Sequence, residues 1–204
     1  MKIYIDRSLS YEEYLDLIDR LLAEGKTTGP NQSEEMTHYA KLNRQRMKRL
    51  ANSVNLDDQT KLAASSLKRR MIWLIVTEGW CGDAAQNVPV IEKIAAAGDN
   101  IETRYILRDE NPELMDRFLT NGARSIPKLI ALDAGTLTVL GTWGARPLEA
   151  QQLYQKLKEE KLAKPLIMEN LQRWYNSDGS RSLQLEFQQL IREWDVLSAA
   201  PANA

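Results

Sequence analysis

The sequence lacks several features that would assign the protein to a compartment. It has one cysteine in 204 residues, so no disulfide can form within the chain and nothing indicates an oxidising compartment. No apolar run approaches the roughly 20 residues that cross a bilayer, and the first residues hold no apolar segment long enough for a signal peptide. We therefore expect a cytoplasmic protein with no membrane partner.

An excess of charge is also missing. There are 27 Lys and Arg residues against 28 Asp and Glu residues, and this formal net charge of -1 gives no overall attraction to nucleic acid. The basic segment 41–50 is either a solvated helix face or an anion site, and its spaced apolar neighbours favour the solvated face. The single histidine, His38, lies far in sequence from the cysteine. No metal site or cofactor is therefore predicted.

The hydrophobic pattern divides the chain into three segments. Residues 1–70 indicate an amino-terminal helical extension, in which Ser10 and Glu13 have capping-box spacing at the start of a helix that stops at Gly25. Residues 71–160 alternate strands with helices. Residues 161–204 return to helices and end in a short Ala/Pro-rich tail that we expect to fray. The extension contains two more predicted helices. One begins after Asn31 and runs to about Val54, and the other covers residues 57–67.

The middle segment determines the predicted fold. Residues 71–76 form a continuous apolar run, which is typical of a strand buried on both faces of a sheet. A strand–helix–strand unit follows, and its right-handed crossover implies a mixed, partly parallel sheet covered by helices. We expect an α/β fold in which the flanking helices share the core. The predicted strands cover 71–76, 101–107, 128–132 and 137–140, and the helices after the first strand cover 83–97, 111–119, 149–160, 165–175 and 182–197.

One short motif follows the first strand directly. Trp80-Cys81-Gly82-Asp83 lies where that strand ends and the next helix begins, and Pro89 follows inside the helix. Asp109-Glu110-Asn111-Pro112 follows the second strand, and Ser125-Ile126-Pro127 precedes the third. In order and spacing these residues resemble the thioredoxin superfamily, whose signature is Trp-Cys-Gly-Pro-Cys followed after four residues by a helix-kinking proline. The resemblance extends from Met71 to Leu157. Within the superfamily, the sequence is similar to a bacterial thioredoxin-like family with a Trp-Cys-Gly-Asp motif.

The resemblance implies a thioredoxin-like mixed sheet and a site around Cys81, the catalytic residue. Pro127 corresponds to the family's cis-proline, which faces the reactive cysteine. The free N–H groups and positive end of a helix stabilise a thiolate, whereas the carboxylate of Asp83 opposes it. We expect a modestly lowered pKa for Cys81 and a partly exposed sulfur. The implied substrate-binding residues are Trp80, Gly82, Asp83, Ile126 and Pro127.

Three positions depart from the family pattern. Ala84 stands in place of the second cysteine, Ile75 in place of a buried acid, and Tyr105 in place of the lysine that partners this acid. Without a second cysteine, a mixed disulfide cannot be resolved within the chain. The leading prediction is a single-cysteine thiol–disulfide oxidoreductase, resolved by an external thiol and acting on a protein or a low-molecular-weight thiol or disulfide. The alternative is a non-catalytic thioredoxin-fold module that binds a peptide or protein beside Pro127.

Overall fold

A mixed sheet lies at the centre of the computed structural model, which describes residues 1–197. The tail that we expect to fray, 199–204, lies outside the described residues. The strands are β1 (Met71–Thr77), β2 (Ile101–Leu107), β3 (Lys128–Asp133) and β4 (Val139–Gly144). Their order in the sheet is β2-β1-β3-β4, with β1 and β2 parallel and β3 antiparallel to both β1 and β4. The predicted mixed sheet is confirmed.

Strand β1 is buried along its whole length, as its apolar sequence predicts. Its Ile75 lies opposite Tyr105 of β2 on one side and Leu129 of β3 on the other. Helices cover both faces of the sheet, and a strand in that position needs apolar side chains on both of its own faces. The carboxyl end of β1 therefore brings Cys81 to the edge of a rigid core.

Four helices precede the sheet: α1 (Lys2–Asp6), α2 (Tyr11–Ala23), α3 (Glu34–Ser53) and α4 (Asp58–Ser65). The capping box at Ser10 and Glu13 is confirmed, since each side chain accepts a hydrogen bond from the other residue's backbone N–H. Helix α3 begins after Ser33, which caps it through Met36 N–H, and not after Asn31 as predicted. Helix α1 was not predicted because five residues are too few to show a helical period.

Five helices follow β1 in the described part of the chain: α5 (Gly82–Ala95), α6 (Pro112–Asp116), α7 (Leu148–Glu159), α8 (Lys164–Asp178) and α9 (Arg181–Val196). One cluster of buried apolar residues joins the sheet to α2 through Tyr14 and to α9 through Phe187. At its centre, the Trp73 ring lies edge-on to Phe187 and to Trp194, with centroid distances of 5.2 and 6.1 Å. Among residues 1–197, none of the helices combines the length and apolar character that a bilayer crossing requires.

Strand β4 lies further along the chain than the sequence predicts. The carboxylate of Asp133 accepts hydrogen bonds from the N–H groups of Gly135 and Thr136, at 3.0 and 2.9 Å. Leu137 then adopts a left-handed conformation with φ 57°. The turn therefore extends through residues predicted to start the strand, and β4 runs on to Gly144, beside the loop that contains Pro127.

Gly144 has a conformation and a neighbour that exclude a side chain. Its φ is 120°, and a Cβ at this position would overlap the carbonyl oxygen of Pro127. We expect Gly144→Ala to lower the free energy of unfolding by about 2–3 kcal/mol, measured by urea denaturation. The matched control is Gly135→Ala, where the nearest atom would lie at an ordinary 3.5 Å. Equal losses in the two variants would contradict the close packing of Gly144 on Pro127.

Candidate functional site

Cys81 lies at the start of α5, as the sequence predicts. It is the N-cap residue of that helix, and its sulfur accepts a hydrogen bond from Ala84 N–H at 3.5 Å. A side-chain acceptor at this position satisfies one of the free N–H groups of the first helical turn. The thiol therefore occupies the end of the helix where the dipole is positive.

The loop before β3 packs directly on this cysteine. The Ile126–Pro127 peptide bond is cis, and the Cys81 thiol donates a hydrogen bond to the carbonyl oxygen of Ile126 at 3.3 Å. Ile126 is only 5% exposed, and Pro127 is buried. The structure thus brings three of the residues implied by the resemblance together, but it buries them against one another.

The expected exposure and pKa of Cys81 are wrong. The residue is 7% exposed. Burial, and after it the nearby carboxylate of Asp83, raises the pKa of the thiol to about 12, against the opposing effects of Ala84 N–H and the Arg146 guanidinium. Desolvation disfavours the charged thiolate more strongly than the helix terminus favours it. In this conformation Cys81 is a neutral hydrogen-bond donor.

Asp83 is engaged within the chain. Its carboxylate forms an ion pair with Arg146 at 2.7 Å, in which each side chain is 11% exposed, and accepts a hydrogen bond from Tyr175 Oη at 2.9 Å. Asn87, one turn further along α5, donates to the same Tyr175 oxygen at 3.0 Å. Burial raises the pKa of Asp83, while Arg146 and Tyr175 act to lower it. Arg146 and Tyr175 were not predicted, because no local sequence pattern links either residue to the motif.

Trp80 lies on the open side of the motif. Partly buried, it borders a cleft of about 390 Å³ that lies between the loop before α3 and the loop after β2. The guanidinium of Arg108 lies 4.8 Å from the centre of the Trp80 ring and is paired with Asp109 at 2.7 Å. Arg124 lies on the same cleft. Gly82, the remaining residue implied by the resemblance, is exposed.

A buried acid supports the wall of this cleft. Glu78, at the end of β1, has no exposed surface, and its Oε1 accepts a hydrogen bond from Asp109 N–H at 2.9 Å. Burial raises the pKa of Glu78. A role for Glu78 was not predicted, although a carboxylate directly after a buried apolar run is a detectable signal. Glu78 holds the loop that carries Arg108 and Asp109.

The positions that depart from the family pattern are all buried. Tyr105 Oη donates a hydrogen bond to Glu92 on α5 at 2.6 Å, and its ring stacks on Tyr14 at 5.3 Å. Ile75 adds an apolar side chain on the adjacent strand, β1. These two contacts of Tyr105 join the sheet to α5 and to α2. Within residues 1–197, no three His, Cys, Asp or Glu side chains are grouped so that they could hold a metal ion.

Two solved structures share this architecture over most of the chain. One is the crystal structure of an HIV epitope-scaffold, with a TM-score of 0.55 and 17% identity, covering 93% of this chain and 100% of the other. The second is the crystal structure of a protein of unknown function from Pseudomonas aeruginosa, with a TM-score of 0.54 and 16% identity, covering 90% of this chain and 98% of the other. At these identities the likeness shows the fold alone. No curated protein matches the chain.

A family model described as thioredoxin matches residues 29–158. The matched segment is well over half of the 204 residues. It begins in the loop before α3, contains the whole sheet, and ends within α7. With the mixed sheet and its covering helices, this match confirms the expected thioredoxin-like α/β fold. The chain belongs to the thioredoxin family that this model describes.

Proposed function

We propose that this protein is a thioredoxin-fold binding module, which holds a segment of a protein partner at the Trp80 cleft without thiol turnover. The observation that carries this proposal is the state of Cys81, whose buried thiol donates to Ile126 and has a pKa of about 12. The thiolate is the form that attacks disulfides. A thiol held neutral near pH 7 is a poor nucleophile, but it can order the loop before β3.

The cleft beside Trp80 has the composition of a protein-binding surface. An aromatic ring and two arginines, Arg108 and Arg124, face a volume of about 390 Å³, which is within the range of ligand sites. Trp and Arg are the residues that contribute most often to the binding energy of interfaces. The stacked Arg108 is fixed by Asp109, so less side-chain entropy is lost when a partner binds.

The single-cysteine oxidoreductase is the second candidate. The position of Cys81 as the N-cap of α5 favours it, because a helix start stabilises a thiolate once the sulfur is solvated. An external thiol would have to resolve the mixed disulfide, since Ala84 offers no second sulfur. Burial and the charge of Asp83 oppose this chemistry, which places it behind the binding module.

The test uses a random peptide library displayed on phage, selected on the immobilised protein in the presence of reductant. The affinity of a selected peptide is then measured for three variants. We expect Trp80→Ala to weaken binding at least about tenfold, because the aromatic side chain that would anchor the peptide in the cleft is lost. Cys81→Ser and the control Tyr39→Ala, which changes an aromatic residue 43% exposed on α3, should each remain within about twofold of wild type.

Two other results would contradict the proposal. If no peptide is selected under reducing conditions, the binding module is wrong. If capture needs an oxidised peptide, fails in Cys81→Ser and is reversed by reductant, the oxidoreductase takes its place.

A further inference from the structure

Helices α7 and α8 form a hairpin with an apolar core of its own. Its buried residues make a cluster separate from the main one that joins the sheet to α2 and α9. Partly buried residues of the same two helices and their connection, among them Tyr154 and Trp174, complete it. The hairpin, residues 148–178, therefore keeps its own packing if it moves as a unit. The buried members are Ala150, Leu157, Ile167 and Leu171.

Polar contacts connect this hairpin to the first turns of α5. Tyr175 donates to Asp83 and accepts from Asn87, and Gln172 accepts from Gln86 at 2.8 Å. From the other helix, Tyr154 lies 4.2 Å from the guanidinium of Arg146, the partner of Asp83. When such contacts break, water can replace the lost hydrogen bonds. Separating these polar surfaces therefore costs less free energy than exposing apolar surface of the same area.

The carboxyl end of the hairpin has backbone geometry suited to a hinge. Gly179 and Ser180 connect α8 to α9 in left-handed conformations, with φ of 61° and 70°. Helix α9 is anchored in the main core by Phe187 and Trp194, so motion stops at this connection. At the other end, residues 145–147 connect β4 to α7. Hinges are commonly a few such residues at the ends of elements.

Space for an alternative arrangement lies beside Tyr175. A cavity of about 200 Å³ is lined by Tyr175, Asn87, Pro147 and Leu183, among others. The contacts of Tyr175 with Asp83 and Asn87 are therefore not enclosed by tight packing on every side.

We propose that the α7–α8 hairpin is a lid over the Cys81 end of the groove, closed by the contact of Tyr175 with Asp83 and the contact of Tyr154 with Arg146. Its opening, with the sheet intact, exposes Cys81 and the carbonyl of Ile126. In the closed state the Trp80 cleft alone admits a partner, and the open state extends the groove to Pro127. The opening itself is tested with Cys81 as a reporter and does not depend on the proposed function; only the extension of the groove to Pro127 rests on that function.

The test measures the rate at which iodoacetamide alkylates the only cysteine of the folded protein. We expect Tyr175→Phe to raise this rate about tenfold, because the hydroxyl loses its bonds to Asp83 and Asn87 while the ring keeps its packing. The matched control is Arg173→Ala, which removes an exposed ion pair with Glu169 on the same helix and should leave the rate within about twofold. Equal rates in Tyr175→Phe and wild type would overturn the lid.

A second measurement on the wild-type protein does not depend on any variant. In hydrogen exchange, the amides of α8 should exchange faster than those of β1. The opening rate obtained from Cys81 alkylation should equal the opening rate obtained from the α8 amides. If alkylation instead follows the exchange of β1, global unfolding exposes the cysteine and no lid exists. Both the alkylation rates and the exchange rates can be measured without a peptide, so they test the lid even if the peptide selection at the Trp80 cleft fails.

Discussion

Replacing Arg146 with alanine is expected to lower the free energy of unfolding by about 3–5 kcal/mol, because an unpaired carboxylate remains buried at Asp83. Both partners are 11% exposed, and their nearest atoms are 2.7 Å apart. The variant also removes the contact of the guanidinium with the Tyr154 ring. Urea denaturation near neutral pH measures the loss. It should shrink in acid, where protonation neutralises the carboxylate.

Two controls separate the buried charge from the loss of side-chain volume. The double variant Asp83→Ala with Arg146→Ala should recover part of the stability, since neither charge remains. Arg124→Ala breaks a bidentate pair with Asp116 whose side chains are about half exposed, and it should cost far less. If Arg146→Ala and Arg124→Ala lose the same amount, the Asp83–Arg146 pair does not have the structural role assigned to it.

The fold was predictable because its signals are local. The run at 71–76 has the composition of a central strand, and the end of that strand together with the next helix start placed Cys81 correctly. The predicted boundaries of β4 and α3 were wrong because a nearby side chain forms hydrogen bonds with the backbone there. The carboxylate of Asp133 lengthened a turn and moved β4 along the chain, and Ser33 replaced Asn31 as the cap of α3.

The chemistry of the candidate site was less predictable because it depends on distant residues. The sequence showed Cys81 at a helix start and Asp83 two residues later, which are two opposing influences on the thiol pKa. Their balance is decided by the burial of the thiol. The carboxylate of Asp83 is itself held by Arg146 and Tyr175, and no local pattern predicts these two contacts.

The titration of Cys81 should differ strongly from that of a free thiol. A pKa of about 12, against about 8.5 for a free cysteine, leaves on the order of 10³-fold less thiolate at pH 8. The pKa is higher in the folded state because burial stabilises the protonated thiol there. The folded protein should therefore be correspondingly slow to react with disulfide reagents.

The most direct measurement is the ultraviolet absorbance of the thiolate as a function of pH, taken as the difference between wild type and Cys81→Ser. Titration of the urea-unfolded chain provides the reference, with a step near the free value of about 8.5. For the folded protein we expect no step below about pH 10, because desolvation and Asp83 disfavour the charged sulfur. A step at or below about 8.5 in the folded state would contradict the neutral thiol and favour the single-cysteine oxidoreductase.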